Sequence, residues 1–238
     1  MQRLETKKSS QVLVILLAFL IHGIGIYFNV MVLVEGFTEV RPVNAVPVPA
    51  GLFFGPVAGI ACAFGNLLAD CFGQLAPSSV VGFIGNFLAA YLPFKLWYLY
   101  TDEEPNVHRL KNLFIYVWVT FIAAIAVACM IGSLLWTVFG VWTDSLTLYI
   151  FMNDFCFPLF FGLPVFIVLT SPTINIVCVK PVKSIIRLPD RIKRICVIVY
   201  AVVLTVIFFL THFGVENMKG IMWILYLPAA VLTLILTL

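Results

Sequence analysis

Charge is scarce in this chain. Of its 238 residues only 11% are Asp, Glu, Lys or Arg, while 63% are apolar. A soluble domain carries about 25% charged and about 45–50% apolar residues, so a water-soluble globule is excluded. Polar/apolar alternation is missing too, which excludes a transmembrane barrel. Cys62, Cys71, Cys129, Cys156, Cys178 and Cys196 never fall in a Cys-X-X-Cys pair. Neither a disulfide framework nor a zinc site is indicated, and the cysteines read as small apolar packers. There is no P-loop, no dinucleotide fingerprint and no His-Glu-X-X-His, so no resident cofactor or metal is expected. The formal net charge of +3 is too small to suggest a nucleic-acid partner.

What remains is hydrocarbon in long runs. Seven apolar blocks cover 12–34, 42–71, 79–98, 112–139, 146–170, 194–213 and 218–238. Runs of 18 or more apolar residues cross ~30 Å of bilayer as helices, because a backbone in lipid must satisfy its own hydrogen bonds. The expected fold is an all-α, polytopic transmembrane bundle in the cell membrane. Block 12–34 follows Arg3, Lys7 and Lys8; it is longer than a signal-peptide core and reads as a retained first span.

Charge then tests the count, since cytoplasmic loops collect Lys and Arg. The N-terminus, the loop 99–111 (Arg109, Lys111) and the loop 171–193 (Lys180, Lys183, Arg187, Arg191, Lys193) are all basic. Placing all three inside needs an even number of crossings before loop 99–111, where three blocks lie. Block 42–71 is interrupted by Gly55-Pro56, a pair that breaks a helix and permits a reversal. Read as a hairpin of about 43–54 and 56–71, it gives about eight spans with both termini cytoplasmic. Twelve of the fourteen Lys/Arg are then inside, leaving Arg41 and Lys219 outside. The rival reading keeps seven spans with Pro56 as a kink.

Depth follows at 1.5 Å per helical residue. The stretches Gly65-Asn66-Leu-Leu-Ala and Gly85-Asn86-Phe-Leu-Ala put two amides at similar depth near the outer side, on neighbouring helices. Asn29, Asp70, Asn153 and Asp154 enter from the same side, whereas the inner halves hold nothing comparable. An ionisable group within the bilayer costs roughly 2.5–3.5 kcal/mol even on the lenient insertion scale and usually faces a cavity or a partner. The expectation is a polar pocket open to the outside. The alternative is that the asparagines bridge helices and the glycines only allow close packing. Trp136, Trp142 and Tyr149 flank the outer loop 140–145, as an interfacial belt or a stacking wall. His22 reads as a packed, hydrogen-bonded histidine. Glu35, Glu39 and Arg41 lie in an outer loop, a gate or merely a solvated connection.

The run VNAVPVPAGLFFGPVAG from Val43 to Gly59 resembles the second span of the substrate-binding S components of energy-coupling factor vitamin transporters. GFIGNFL from Gly82 to Leu88 is similar to that family's fourth span. The resemblance covers roughly residues 10–180, leaving 181–238 as a basic linker and an additional two-helix hairpin. It implies a non-enzymatic subunit that captures a vitamin-like solute from outside and passes it on with a coupling subunit and ATPases. Asn29, Asn66, Asp70, Asn86, Trp136, Asn153 and Asp154 are the expected substrate-binding residues, with Glu35, Glu39 and Arg41 as the gating loop. Asp154 is expected to meet a cationic or hydrogen-donating group, the asparagines ring edges, and Trp136 a ring face. The other expected partner is membrane lipid. Alternatives are a transmembrane ligand sensor, a membrane-embedded enzyme acting on a lipid-like substrate, and a self-sufficient secondary transporter.

Overall fold

The computed structural model describes residues 32–34, 38–39, 41–72, 75–76, 78–140, 145–174, 178–181, 185–213 and 219–238, with backbone alone at 32–34, 38–39, 219, 221 and 223. The expected first span therefore lies outside the described residues, apart from its last three. Those three, Val32–Val34, form strand β1, which pairs antiparallel with β2 (Thr38–Glu39). The apolar run thus ends in extended backbone, as its β-branched valines favour.

The rest is helical. A 3₁₀ turn, Pro42–Ala45, leads into α1 (Pro47–Phe54), followed by α2 (Pro56–Cys71), α3 (Ser78–Tyr100), α4 (Leu110–Thr137), α5 (Leu146–Leu169), α6 (Asp190–His212) and α7 (Lys219–Thr237). Among the described residues, α3, α4, α5 and α6 are long and apolar enough to cross a membrane. The thirteen residues Pro42–Phe54 reach only about 20 Å as a helix, short of the ~30 Å hydrocarbon layer.

Gly55 makes the break between α1 and α2. Its φ of 56° and ψ of −128° lie where a Cβ is strongly disfavoured, and Pro56 supplies the fixed φ that starts a helix without needing its missing N–H. The chain reverses there. Ala50 packs against Ala58 and Cys62. A Cβ on Gly51 would overlap the Ala90 carbonyl, and one on Gly55 would lie 2.8 Å from the Phe94 ring. Gly59 faces Phe87, and Gly82 faces the Asn66 amide. So α1 runs parallel to α3 while α2 runs antiparallel to it.

The later helices keep alternating. Gly85 of α3 meets Val127 and Ile131 of α4, while Trp118 near the other end of α4 donates to the Tyr100 hydroxyl at 2.9 Å. Gly132 meets Thr147 of α5, and the Tyr116 hydroxyl donates to the Pro158 carbonyl at 3.0 Å. Cys129 Sγ donates to the Leu204 carbonyl of α6 at 3.1 Å, and Tyr200 pairs with Thr233 of α7 at 2.8 Å. One core cluster joins Trp97, Tyr116, Ile122 and Phe166 to Tyr200, Leu204 and Met222, so the last two helices share the core of the preceding ones. Phe160, Phe161, Val165, Ile198, Val202 and Phe209 are exposed. Apolar side chains facing outward along crossing-length helices belong to a membrane protein.

The two ends differ. At one end Arg194 Nε donates to the Leu99 carbonyl at 3.0 Å, the Val179 N–H to the Phe53 carbonyl at 2.8 Å, and Lys180 pairs with Glu104 at 3.9 Å. Lys95, Arg109, Lys111, Arg187, Arg191 and Lys193 gather at that end by chain position. Arg41 sits at the opposite end, where α2 finishes and α3 and α5 begin.

Candidate functional site

At the end opposite the basic cluster, a cavity of about 70 Å³ opens between α2, α3, α4, α5 and the 3₁₀ turn. Its polar wall is assembled from groups far apart in the chain. Asn66 and Asp70 lie one turn apart on α2 and so share a face. Gly82 and Asn86 come from α3, and Asn153 and Asp154 from α5. Arg41 and Asn44 come from either end of the turn that Pro42 starts. Val127, Ile131 and Leu135 of α4, with Ile150, form the apolar side.

Arg41 ties this wall together. Its Nη1 donates to Asn66 Oδ1 at 2.9 Å, its Nη2 lies 3.9 Å from Asp70 Oδ1, and its backbone N–H donates to Asn153 Oδ1 at 3.4 Å. Asn66 passes the contact on, donating from Nδ2 to Asp70 Oδ2 at 3.3 Å. Asn44 Nδ2 donates to Asp154 Oδ1 at 2.6 Å. Asn66 and Asn153 are buried, and Arg41, Asp70 and Asp154 are half-buried. The described lining holds two carboxyl groups, Asp70 and Asp154, and one guanidinium, Arg41.

Five of the expected binding residues, Asn66, Asp70, Asn86, Asn153 and Asp154, thus line one cavity, together with Arg41 from the expected gating loop. Asn86 spends its Nδ2 on the Gly82 carbonyl at 2.9 Å, and among the described residues nothing donates to its Oδ1. Trp136 lies elsewhere. It is 3% exposed and packed into the main apolar core, while its neighbour Leu135 reaches the cavity. Asn29 and Glu35 lie outside the described residues, as do His22 and Trp142, and Glu39 is described only as backbone of β2.

Asn44, Ser78 and Ser79 also line the cavity and were not singled out by sequence. Asn44 had a signal: it follows Arg41-Pro42 within the hairpin's outer arm, at a depth that antiparallel pairing equates with Asn66. The serines precede the apolar run of α3, and the Ala76 N–H donates to Ser79 Oγ at 3.2 Å. The described lining offers amides, hydroxyls, carboxylates and a guanidinium, with no His or Cys. That set is suited to recognising hydrogen-bond donors and positive charge.

Against known proteins, the chain matches no family model, no curated protein and no solved structure.

Proposed function

We propose that this protein is the substrate-binding subunit of a micronutrient uptake system, resembling the S components of energy-coupling factor transporters. It takes a small cationic, ring-containing solute from outside and relies on a partner ATPase module for transport. The observation that carries this reading is the convergence of Arg41, Asn66, Asp70, Asn153 and Asp154 from separate elements on one cavity, at the end opposite the Lys/Arg cluster. Basic ends face the cytoplasm, so the cavity opens outward, with about eight spans and both termini inside. α1 then acts as a short inward arm, with the first span completing the count.

Size refines the reading. Pockets for drug-sized ligands run from about 300 to 1,000 Å³, and the 70 Å³ cavity matches only the charged end of such a solute. A protonated ring nitrogen or an ammonium offsets the surplus carboxylate by donating a hydrogen bond to Asp154, and Asn86 Oδ1 accepts from a second donor.

The test is native mass spectrometry of the full chain, expressed in rich medium and purified gently. A retained molecule of vitamin size, absent from Asp154→Asn, supports the reading. An empty protein whose melting temperature is unmoved by a panel of cationic vitamins overturns it and leaves the asparagines as helix-packing groups. Copurification with ATPase subunits separates a transporter subunit from a ligand sensor.

A further inference from the structure

The basic end holds a second cavity, of about 600 Å³, between α3, the 185–190 segment, the start of α6 and the end of α7. Its polar lining includes Lys95, Arg187, Lys193 and Asp190, and its floor includes Leu96 and Leu236, both buried in the main core. Lys95 is half-buried on a membrane-crossing helix. Its ammonium lies 5.8 Å from the centroid of the Tyr91 ring, and it forms no ion pair with any described residue. Lys193 adds a like charge close enough to repel it. Among the described residues Asp190 is the one carboxylate lining the cavity, and it pairs with neither Lys95 nor Arg187. A cation held within a membrane helix normally has an anion beside it or snorkels to an interface. Here two lysines and an arginine face one cavity over an apolar floor, and among the described residues no anion pairs with Lys95 or Arg187.

We infer that this cavity is a binding site for the phosphate headgroup of an anionic phospholipid. Lys95, Lys193 and Arg187 would surround the phosphate, while the acyl chains leave the cavity for the lipid around the bundle. Basic pockets between helices on the cytoplasmic side suit such headgroups because charge and hydrocarbon are satisfied together. The site is independent of the solute cavity at the opposite end.

Full-length protein is placed in nanodiscs of equal parts phosphatidylglycerol and phosphatidylcholine, and retained lipids are counted by native mass spectrometry. The expected result is roughly tenfold preference for phosphatidylglycerol, falling roughly fivefold for each cation removed, so that Lys95→Gln/Lys193→Gln loses it and Lys95→Arg/Lys193→Arg keeps it. Arg187 is exposed, so Arg187→Gln tests the site even if the lysine double variant does not fold. Equal retention of the two lipids, or a preference unchanged in Arg187→Gln and in the double glutamine variant, overturns the inference. So does inorganic phosphate that displaces the retained lipid or raises the melting temperature as much as phosphatidylglycerol does, since the site would then serve a soluble anion.

Discussion

The two ends of the bundle handle charge in opposite ways. At the cavity between α2 and α5 a single arginine is shared among an amide and a carboxylate of α2 and, through its backbone, an amide of α5. At the basic end the ion pairs are exposed to water. Arg109 and Glu103 meet at 2.8 Å with side chains 73% and 41% exposed, and Lys180 reaches Glu104 only at 3.9 Å. Exposed pairs contribute about 0–1 kcal/mol, whereas removing one partner of a buried pair leaves a desolvated charge behind. Charge at the cavity end therefore fixes which helices meet. Charge at the basic end stays at the surface and adds little to the packing.

The largest way to break this contrast is to disconnect the ends. Gly51→Val places atoms on the Ala90 backbone, where no side-chain motion relieves the overlap. The expected cost exceeds about 4 kcal/mol, seen as loss of the monodisperse peak in size-exclusion chromatography. Next is Arg41→Met, which leaves Asp70 and Asn66 without their cation. A destabilisation of about 2–3 kcal/mol is expected in detergent unfolding, and Arg41→Met/Asp70→Leu should recover most of it. Full additivity of the two changes would show that the pair is uncoupled.

Asn44→Ala is milder. It removes the 2.6 Å bond to Asp154 and should cost about 1–2 kcal/mol while freeing that carboxylate for a solute. A cationic ligand that binds no better to Asn44→Ala than to wild type would count against Asp154 as the recognition group.

The smallest effect belongs to the basic end. The Asn112 amide, which donates to Glu103 Oε2 at 3.0 Å, holds the Glu103 carboxyl below the usual carboxylate range, with Arg109 and Lys111 helping. A depressed folded value means stability that is present above the unfolded pKa of about 4.3 and is lost as pH falls through the folded one. Asn112→Ala should return Glu103 toward about 4.3 in an NMR titration and flatten the acid side of the melting curve. Arg109→Gln should leave the melting temperature at pH 7 unchanged within error.

Depth along the helices was legible in the sequence because it needs only residue counting. Asn66, Asp70, Asn153 and Asp154 entered at matching depths, and they share a cavity. The interruption at Gly55-Pro56 was equally legible, since few other dipeptides combine a positive φ with a missing donor. Direction around the helix axis was not. Neighbouring helical residues point about 100° apart, so one position separates Leu135, at the cavity, from Trp136, in the core. Arg41 read as loop because the 3₁₀ turn that brings it to Asn66 is stabilised by contacts distant in sequence. Asn86 had the right depth, but its amide turns back on Gly82, a choice local pattern does not encode.

The wide turn at Pro158–Gly162 in α5 is π-helical, its ring closing from the Leu163 N–H to the Pro158 carbonyl. Proline at 158 also leaves the Asp154 carbonyl without its ordinary α-helical donor. A π turn holds one residue more than the ladder around it, so it works as a phase shifter between the halves of one span. Deleting a single residue there would return the helix to regular winding and swing Asp154 and Asn153 by about 100° relative to Phe166. The carboxylate would then point away from the cavity while the span kept nearly its full length. An alteration of this kind would leave the length of the span nearly intact and take Asn153 and Asp154 out of the cavity wall.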